Sequence, residues 1–266
     1  MLTKTLTYNN AIVSYKTIGA GTTVMLLHGF GEDSEIWKHQ ISYLQKNFHL
    51  IIPDIPGSGS SALIPDADID TYAEVMKAIL DIEKINQCVM VGHSMGGYIT
   101  LAFAEKYSEY LKSFALFHSS AFADSEEKKQ TREKAIAFIM ANNAYNFLKT
   151  SIPGLFRFQE GPNALTPCIN ELIEKGKNFT AAALIQYYRA MIGRPDRTDI
   201  LRKTSLPVLF VIGEFDNAIP LESSLKQCYI PNKSHIHILH NSGHMGMLEE
   251  TEKTNSILFK FLNSTS

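Results

Sequence analysis

What most constrains this 266-residue chain is a succession of short, unbroken apolar runs separated by segments of helical spacing. The runs Val24–Leu27, Leu50–Ile52, Cys88–Val91, Phe114–Phe117 and Pro207–Ile212 have the length and β-branched content of strands buried on both faces. Between them, Glu35–Lys46, Tyr72–Ile85, Met95–Tyr107 and Thr251–Leu262 carry helical periodicity. Strand–helix alternation of this kind predicts an α/β fold, a mostly parallel central sheet flanked by helices. Functional loops then belong at the carboxyl ends of the strands. At the start, Leu2–Tyr8 and Ala11–Ile18 flank Asn9-Asn10, a pair that tolerates the positive φ angles of a tight hairpin turn.

The alternation breaks between residues 119 and 198, where the pattern is helical without a strand. Asp124-Ser125-Glu126-Glu127 reads as a helix start with acids in the first turn, and Thr166-Pro167 as an N-cap followed by proline. Gly154, Gly161-Pro162, Gly176 and Gly193 divide the segment into about four short helices. Aromatics are dense there (Phe138, Tyr145, Phe147, Phe156, Phe158, Phe179, Tyr187, Tyr188); most read as helix-on-helix packing, with some lining an apolar pocket. The division expected is a core of residues 1–118 and 199–266 with a helical cap of 119–198.

Charge and composition exclude several classes. Lys and Arg total 25 against 27 Asp and Glu, a net charge of −2, with 45% hydrophobic and 20% charged residues. This is a core-forming composition with no basic footprint for nucleic acid or an anionic membrane surface. No run approaches the roughly 18 apolar residues of a membrane span. The beginning MLTKTLTYNN has no apolar block of a secretory signal, so the sequons at Asn178, Asn232 and Asn263 carry little weight. Cys88, Cys168 and Cys228 are too few and dispersed for a disulfide framework or zinc site, and read as thiols of a reducing, cytoplasmic setting.

The strand Cys88–Val91 runs into Gly92-His93-Ser94-Met95-Gly96-Gly97 and then a helix, a G-x-S-x-G nucleophile elbow in the context it requires. A serine on so sharp a turn brings the chain on either side close to neighbouring backbone, where a Cβ would clash.

On these residues the chain resembles the α/β-hydrolase fold superfamily, in its serine-nucleophile, esterase-like branch. His28-Gly29-Phe30-Gly31 resembles the family's oxyanion loop, and Asp54-Ile55-Pro56-Gly57-Ser58-Gly59-Ser60-Ser61 its D-x-P-G-x-G-x-S stretch. Gly213-Glu214-Phe215-Asp216 and Ser242-Gly243-His244-Met245-Gly246-Met247-Leu248-Glu249 follow in the family's order. The resemblance implies a triad of Ser94 as nucleophile, His244 as general base and Asp216 as its carboxylate partner. It also implies an oxyanion hole from the backbone N–H groups of Phe30 and Met95. Asp124 is the alternative acid, although it reads more simply as a helix cap. His28 and His93 read as structural, bonding loop backbone. His235 and His237 share one strand face with no acid or cysteine at ligand spacing, so no metal and no cofactor are expected. The stretch from Pro56 lacks the lysine of a phosphate loop and reads as a tight turn.

The activity implied is hydrolysis of a small carboxylic ester, thioester or lactone with an apolar acyl group, through an acyl-enzyme. Ser94 stands against the aspartate-nucleophile dehalogenases and epoxide hydrolases. Carbon–carbon hydrolases of the meta-cleavage type usually carry tryptophan where this chain has Met245, and rank lower; a perhydrolase on the same triad stays open. A peptidase would need lid acids such as Glu160, Glu171 and Glu174. A slowly hydrolysing small-molecule receptor is the reading from another class. The sequence leaves monomer and homodimer equally open.

Overall fold

The structure, a computed structural model, describes residues 1–158 and 164–265. Eight strands form one sheet in the order β1-β2-β4-β3-β5-β6-β7-β8. They are β1 (Leu2–Tyr8), β2 (Ala11–Ile18), β3 (Thr23–Leu27), β4 (His49–Pro53), β5 (Cys88–His93), β6 (Leu111–Phe117), β7 (Val208–Gly213) and β8 (Ser234–Leu239). Only β2 runs against the others, because β1 and β4 both pair with it antiparallel. Strands β3, β5 and β7 are buried along their whole length, as continuous apolar runs under two helical layers must be. Asn9 and Asn10 take φ of 47° and 63°, so the expected hairpin closes by the expected turn.

The helices are α1 (Lys38–Leu44), α2 (Ile69–Ile82), α3 (Met95–Lys106), α4 (Glu126–Asn142), α5 (Ala144–Ser151), α6 (Thr166–Lys175), α7 (Ala181–Gly193), α8 (Thr198–Lys203), α9 (Leu221–Cys228), α10 (Gly246–Glu249) and α11 (Thr251–Thr265). Helices α2 and α3 pack together, as do α1 and α11. Two boundaries depart from the sequence reading. Helix α2 starts at Ile69 instead of Tyr72 because Asp68 Oδ1 accepts Thr71 N–H at 2.7 Å and caps it. Residues 34–37 form a 3₁₀ turn ahead of α1, with Asp33 as its cap.

Between β6 and β7 the described residues contain helices and no strand, as the break in alternation predicts. The cap of α4 is Ser125, whose Oγ accepts Lys128 N–H at 3.2 Å. Thr166 is itself the first residue of α6, with Pro167 second, so the expected cap shifts by one position. Gly161 and Pro162 lie outside the described residues. No helix is long and apolar enough to cross a membrane, among the described residues.

Candidate active site

The carboxyl ends of five parallel strands converge on one cavity region. β3 leads to the His28–Gly31 loop, β5 to Ser94, β6 to His118, β7 to Asp216 and β8 to His244.

Ser94 takes φ 51° and ψ −115°, a conformation L-residues adopt only under strain. The elbow's glycines explain how the chain tolerates it. A Cβ on Gly92 would lie 2.3 Å from Gly96 O, one on Gly96 2.7 Å from His28 O, and one on Gly97 2.3 Å from Ser119 Oγ. The turn is pinned by Ser94 N–H to Phe117 O at 3.0 Å and by Ser119 Oγ–H to Ser94 O at 2.7 Å.

His244 Nδ1 lies 2.8 Å from Asp216 Oδ2. The other carboxylate oxygen, Oδ1, accepts the N–H groups of Ala218 (2.9 Å) and Ile219 (2.8 Å). Burial would raise the Asp216 pKa, but His244 and His118 beside it hold it well below the usual carboxylate range. Because an ionised carboxylate only accepts, His244 Nδ1 donates to it, and Nε2 is the ring nitrogen turned away from Asp216. The His244 loop is held by Glu249, whose Oε1 accepts Gly243 N–H (2.9 Å) and Met245 N–H (3.0 Å). His244 and Ser94 line the same cavity of about 430 Å³. The Ser94 hydroxyl makes no side-chain hydrogen bond among the described residues; such bonds often tighten only when substrate arrives.

The loop after β3 comes close to the serine: a Cβ on Gly29 would sit 3.2 Å from Ser94 Cβ. Neither Phe30 N–H nor Met95 N–H, the latter the first of α3, meets a protein acceptor among the described residues. His28 behaves as the sequence suggests: Nε2 accepts Ile55 N–H at 2.9 Å, and Nδ1 contacts Gly29 O at 2.8 Å. It ties the loop to the Asp54–Ser61 turn.

Two residues escaped the sequence reading. Glu32 is buried in the cavity wall, its Oε2 accepting Gly29 N–H at 2.6 Å and facing His93 Nδ1 at 2.9 Å. His118 follows β6 directly and takes φ 47°, with Nδ1 3.2 Å from Asp216 Oδ2. Burial drives the His118 pKa down to about 4, so the ring is neutral. A histidine at the carboxyl end of a parallel strand was the available signal for it; Glu32, followed by Asp33 and Glu35 in the same polar stretch, offered none.

Asp124 makes no hydrogen bond to His244 among the described residues, and Ser125 takes its expected place as the cap of α4. The buried Asp124 carboxylate receives Arg132 Nε at 2.6 Å and Arg194 Nη1 at 2.9 Å. Of the lid acids, Glu160 lies outside the described residues, Glu171 pairs with Lys38 and Lys175, and Glu174 with Lys177. Neither Glu171 nor Glu174 lines the cavity. Among the described residues, the metal-type cluster is His118, Asp216 and His244 rather than His235 and His237. Each of its imidazoles already faces the carboxylate with Nδ1.

A model of the alpha/beta hydrolase fold matches residues 22–152. A thermophilic esterase from Thermogutta terrifontis, solved with malate bound, superposes with a TM-score of 0.92 at 26% identity, covering 100% of this chain and 99% of that one. The chain has the α/β-hydrolase fold. It is 24% identical to the (E)-2-((N-methylformamido)methylene)succinate hydrolase of Acinetobacter baylyi, over 100% of both chains. It is also 25% identical to the karrikin insensitive 2 receptor IA of Petunia hybrida, over 95% of this chain and 94% of that one. An α/β-hydrolase with its cavity at the carboxyl ends of the strands follows the general rule for open α/β sheets. A side pocket of about 80 Å³, lined by Leu148, Ile152, Leu172 and Met245 among others, adjoins it and shares Phe30, Glu32, Leu155 and Tyr188 with it.

Proposed function

We propose that the protein is a serine hydrolase that cleaves a small carboxylic ester, thioester or lactone through an acyl-enzyme. The observation that carries this reading is the 2.8 Å contact of buried Asp216 with His244, which lines one cavity together with a strained Ser94. In the first step His244 Nε2 takes the hydroxyl proton as Ser94 Oγ bonds to the carbonyl carbon. The oxyanion is met by Phe30 N–H and Met95 N–H, the latter aided by the positive end of the α3 dipole. As the carbonyl re-forms, the bond to the leaving group breaks and His244 returns the proton to it. Water then repeats the sequence: His244 takes its proton, hydroxide adds to the acyl carbon, and Ser94 leaves reprotonated. Asp216 stays ionised throughout and stabilises the imidazolium.

In this reading the helices of residues 119–198 are a cap over the 1–118 and 199–266 core, and the 80 Å³ side pocket takes the apolar acyl chain. Met245 lines that pocket, which favours ester over carbon–carbon chemistry. The free thiols of Cys88, Cys168 and Cys228 support a cytoplasmic setting. A second reading, a slowly hydrolysing receptor, is favoured by the likeness to the Petunia protein.

Initial rates across para-nitrophenyl esters of increasing acyl length, with a lactone and a thioester, test the proposal. Multiple turnovers that vanish in Ser94→Ala support the hydrolase. A single stoichiometric acylation with slow release supports the receptor, and Ser94-independent turnover contradicts both.

A further inference from the structure

One wall of the cavity is more cationic than an ester pocket for a purely apolar substrate requires. Helix α4 presents Lys128, Thr131 and Arg132 to the cavity, at the spacing that puts residues on one helix face. Arg132 is clamped from one side, with Nε 2.6 Å from Asp124 Oδ2 and Nη2 3.5 Å from Oδ1. Its Nη1 makes no hydrogen bond among the described residues. Asp124 also faces Arg194, which spends Nη1 and Nη2 on the carbonyls of Met191 and Phe122 and stacks 3.8 Å from the Tyr98 ring centre. One buried carboxylate thus stands between two guanidiniums, leaving an excess of positive charge. Lys128 donates to Ala218 O at 3.0 Å and has no carboxylate partner among the described residues. Of the two acids in the lining, Glu32 is committed to His93 and Gly29, and Glu127 is exposed.

A guanidinium cannot shed its charge, and an uncompensated cation in a partly buried cavity is stabilised by an incoming anion. We propose that this cavity selects carboxylic esters, thioesters or lactones that carry a second, free carboxylate, bound by Arg132 Nη1 with Lys128 beside it. The proposal rests on the hydrolase reading of the same cavity and refines its apolar substrate to one with an anionic end. Charge-assisted pairing of this kind is strong and directional, so it gives selectivity as well as affinity.

The test compares the para-nitrophenyl monoester of adipic acid with that of its terminal amide, which has the same length and no charge. In the unmodified protein the carboxylate ester is expected to be favoured about tenfold or more in kcat/KM, through KM, with the ratio falling as salt rises. Arg132→Gln should bring the two esters to parity, and Arg132→Lys should restore part of the preference. Equal or better use of the amide by the unmodified protein overturns the proposal, whatever the variants do. Calorimetric titration of Ser94→Ala with free adipate and adipamide removes the chemistry from the question. Adipate binding without hydrolysis of either ester sustains the carboxylate site and defeats the hydrolase reading. Equal hydrolysis of both esters without adipate binding does the reverse.

Discussion

His93 and Glu32 meet at 2.9 Å beneath the active site, and the other nitrogen of the same ring lies 3.0 Å from His244 O. A carboxylate and a main-chain carbonyl both only accept, so both ring nitrogens of His93 donate and the ring is an imidazolium. Burial works against that charge, yet Glu32 outweighs it and raises the His93 pKa. The same pairing overrides burial at Glu32 and lowers its pKa. One buried ion pair therefore joins the loop after β3, through Gly29 N–H, to the elbow and the His244 loop.

Glu32→Gln keeps the shape and removes the charge. Breaking a buried pair from one side costs about 3–5 kcal/mol, so the melting temperature should drop markedly at neutral pH. The loss should shrink in acid, where Glu32 of the unmodified protein takes up a proton. An unchanged melting curve at neutral pH would show that the pair is not ionised.

His118 and His93 make opposite contributions to pH dependence. His118 has a folded pKa of about 4, below the roughly 6.5 of an unfolded histidine, so its contribution is present above pH ~6.5 and lost as pH falls towards 4. A shift of that size is worth on the order of 3 kcal/mol. His93, with a raised folded pKa, contributes stability below pH ~6.5 that is lost as pH rises through its folded value. Urea unfolding of His118→Asn, which retains a donor for Asp216 and does not titrate, should show a flatter acid limb between pH 6.5 and 4. An acid limb as steep as before would remove His118 from this account.

Asp216 and Asp124 separate chemistry from stability. In serine-protease triads Asp→Asn costs roughly 10⁴ in kcat because the amide stabilises the wrong histidine tautomer. Asp216→Asn should lose several orders of magnitude in kcat, with Oδ1 still able to accept from Ala218 and Ile219. Asp124→Asn withdraws the charge between Arg132 and Arg194 and should cost roughly 3 kcal/mol in unfolding free energy. Exchange of these two phenotypes would place the triad acid after β6.

The strain at Ser94 has its own signature. Glycine adopts φ 51° freely, and relief of about 1–3 kcal/mol exceeds the entropy glycine adds to the unfolded chain. Ser94→Gly should therefore melt higher than Ser94→Ala, with both inactive. A lower melting temperature for the glycine variant would argue against a strained elbow.

The sequence made visible what local geometry dictates. Gly92, Gly96 and Gly97 could be read as sites of close backbone approach, and each has a neighbouring atom within 2.7 Å of a hypothetical Cβ. Buried strands announced themselves by unbroken apolar runs. Glu32 and His118 stayed hidden because their partners, His93 and Asp216, are 61 and 98 residues away. Asp124 was misread for a related reason. Beside Ser125 it has the look of a cap, and nothing local reveals that Arg132 and Arg194 will enclose it. The charge of the cavity wall was invisible too, since it depends on which face of α4 turns inward.

The central claim is a covalent acyl group on Ser94. Rapid-quench mass spectrometry of the protein mixed with para-nitrophenyl acetate tests it most directly. The account predicts a transient gain of one acetyl group, mapped to the peptide containing Ser94 and absent from Ser94→Ala. An acetyl group on another residue, or turnover with no acyl-enzyme and undiminished in Ser94→Ala, would contradict it.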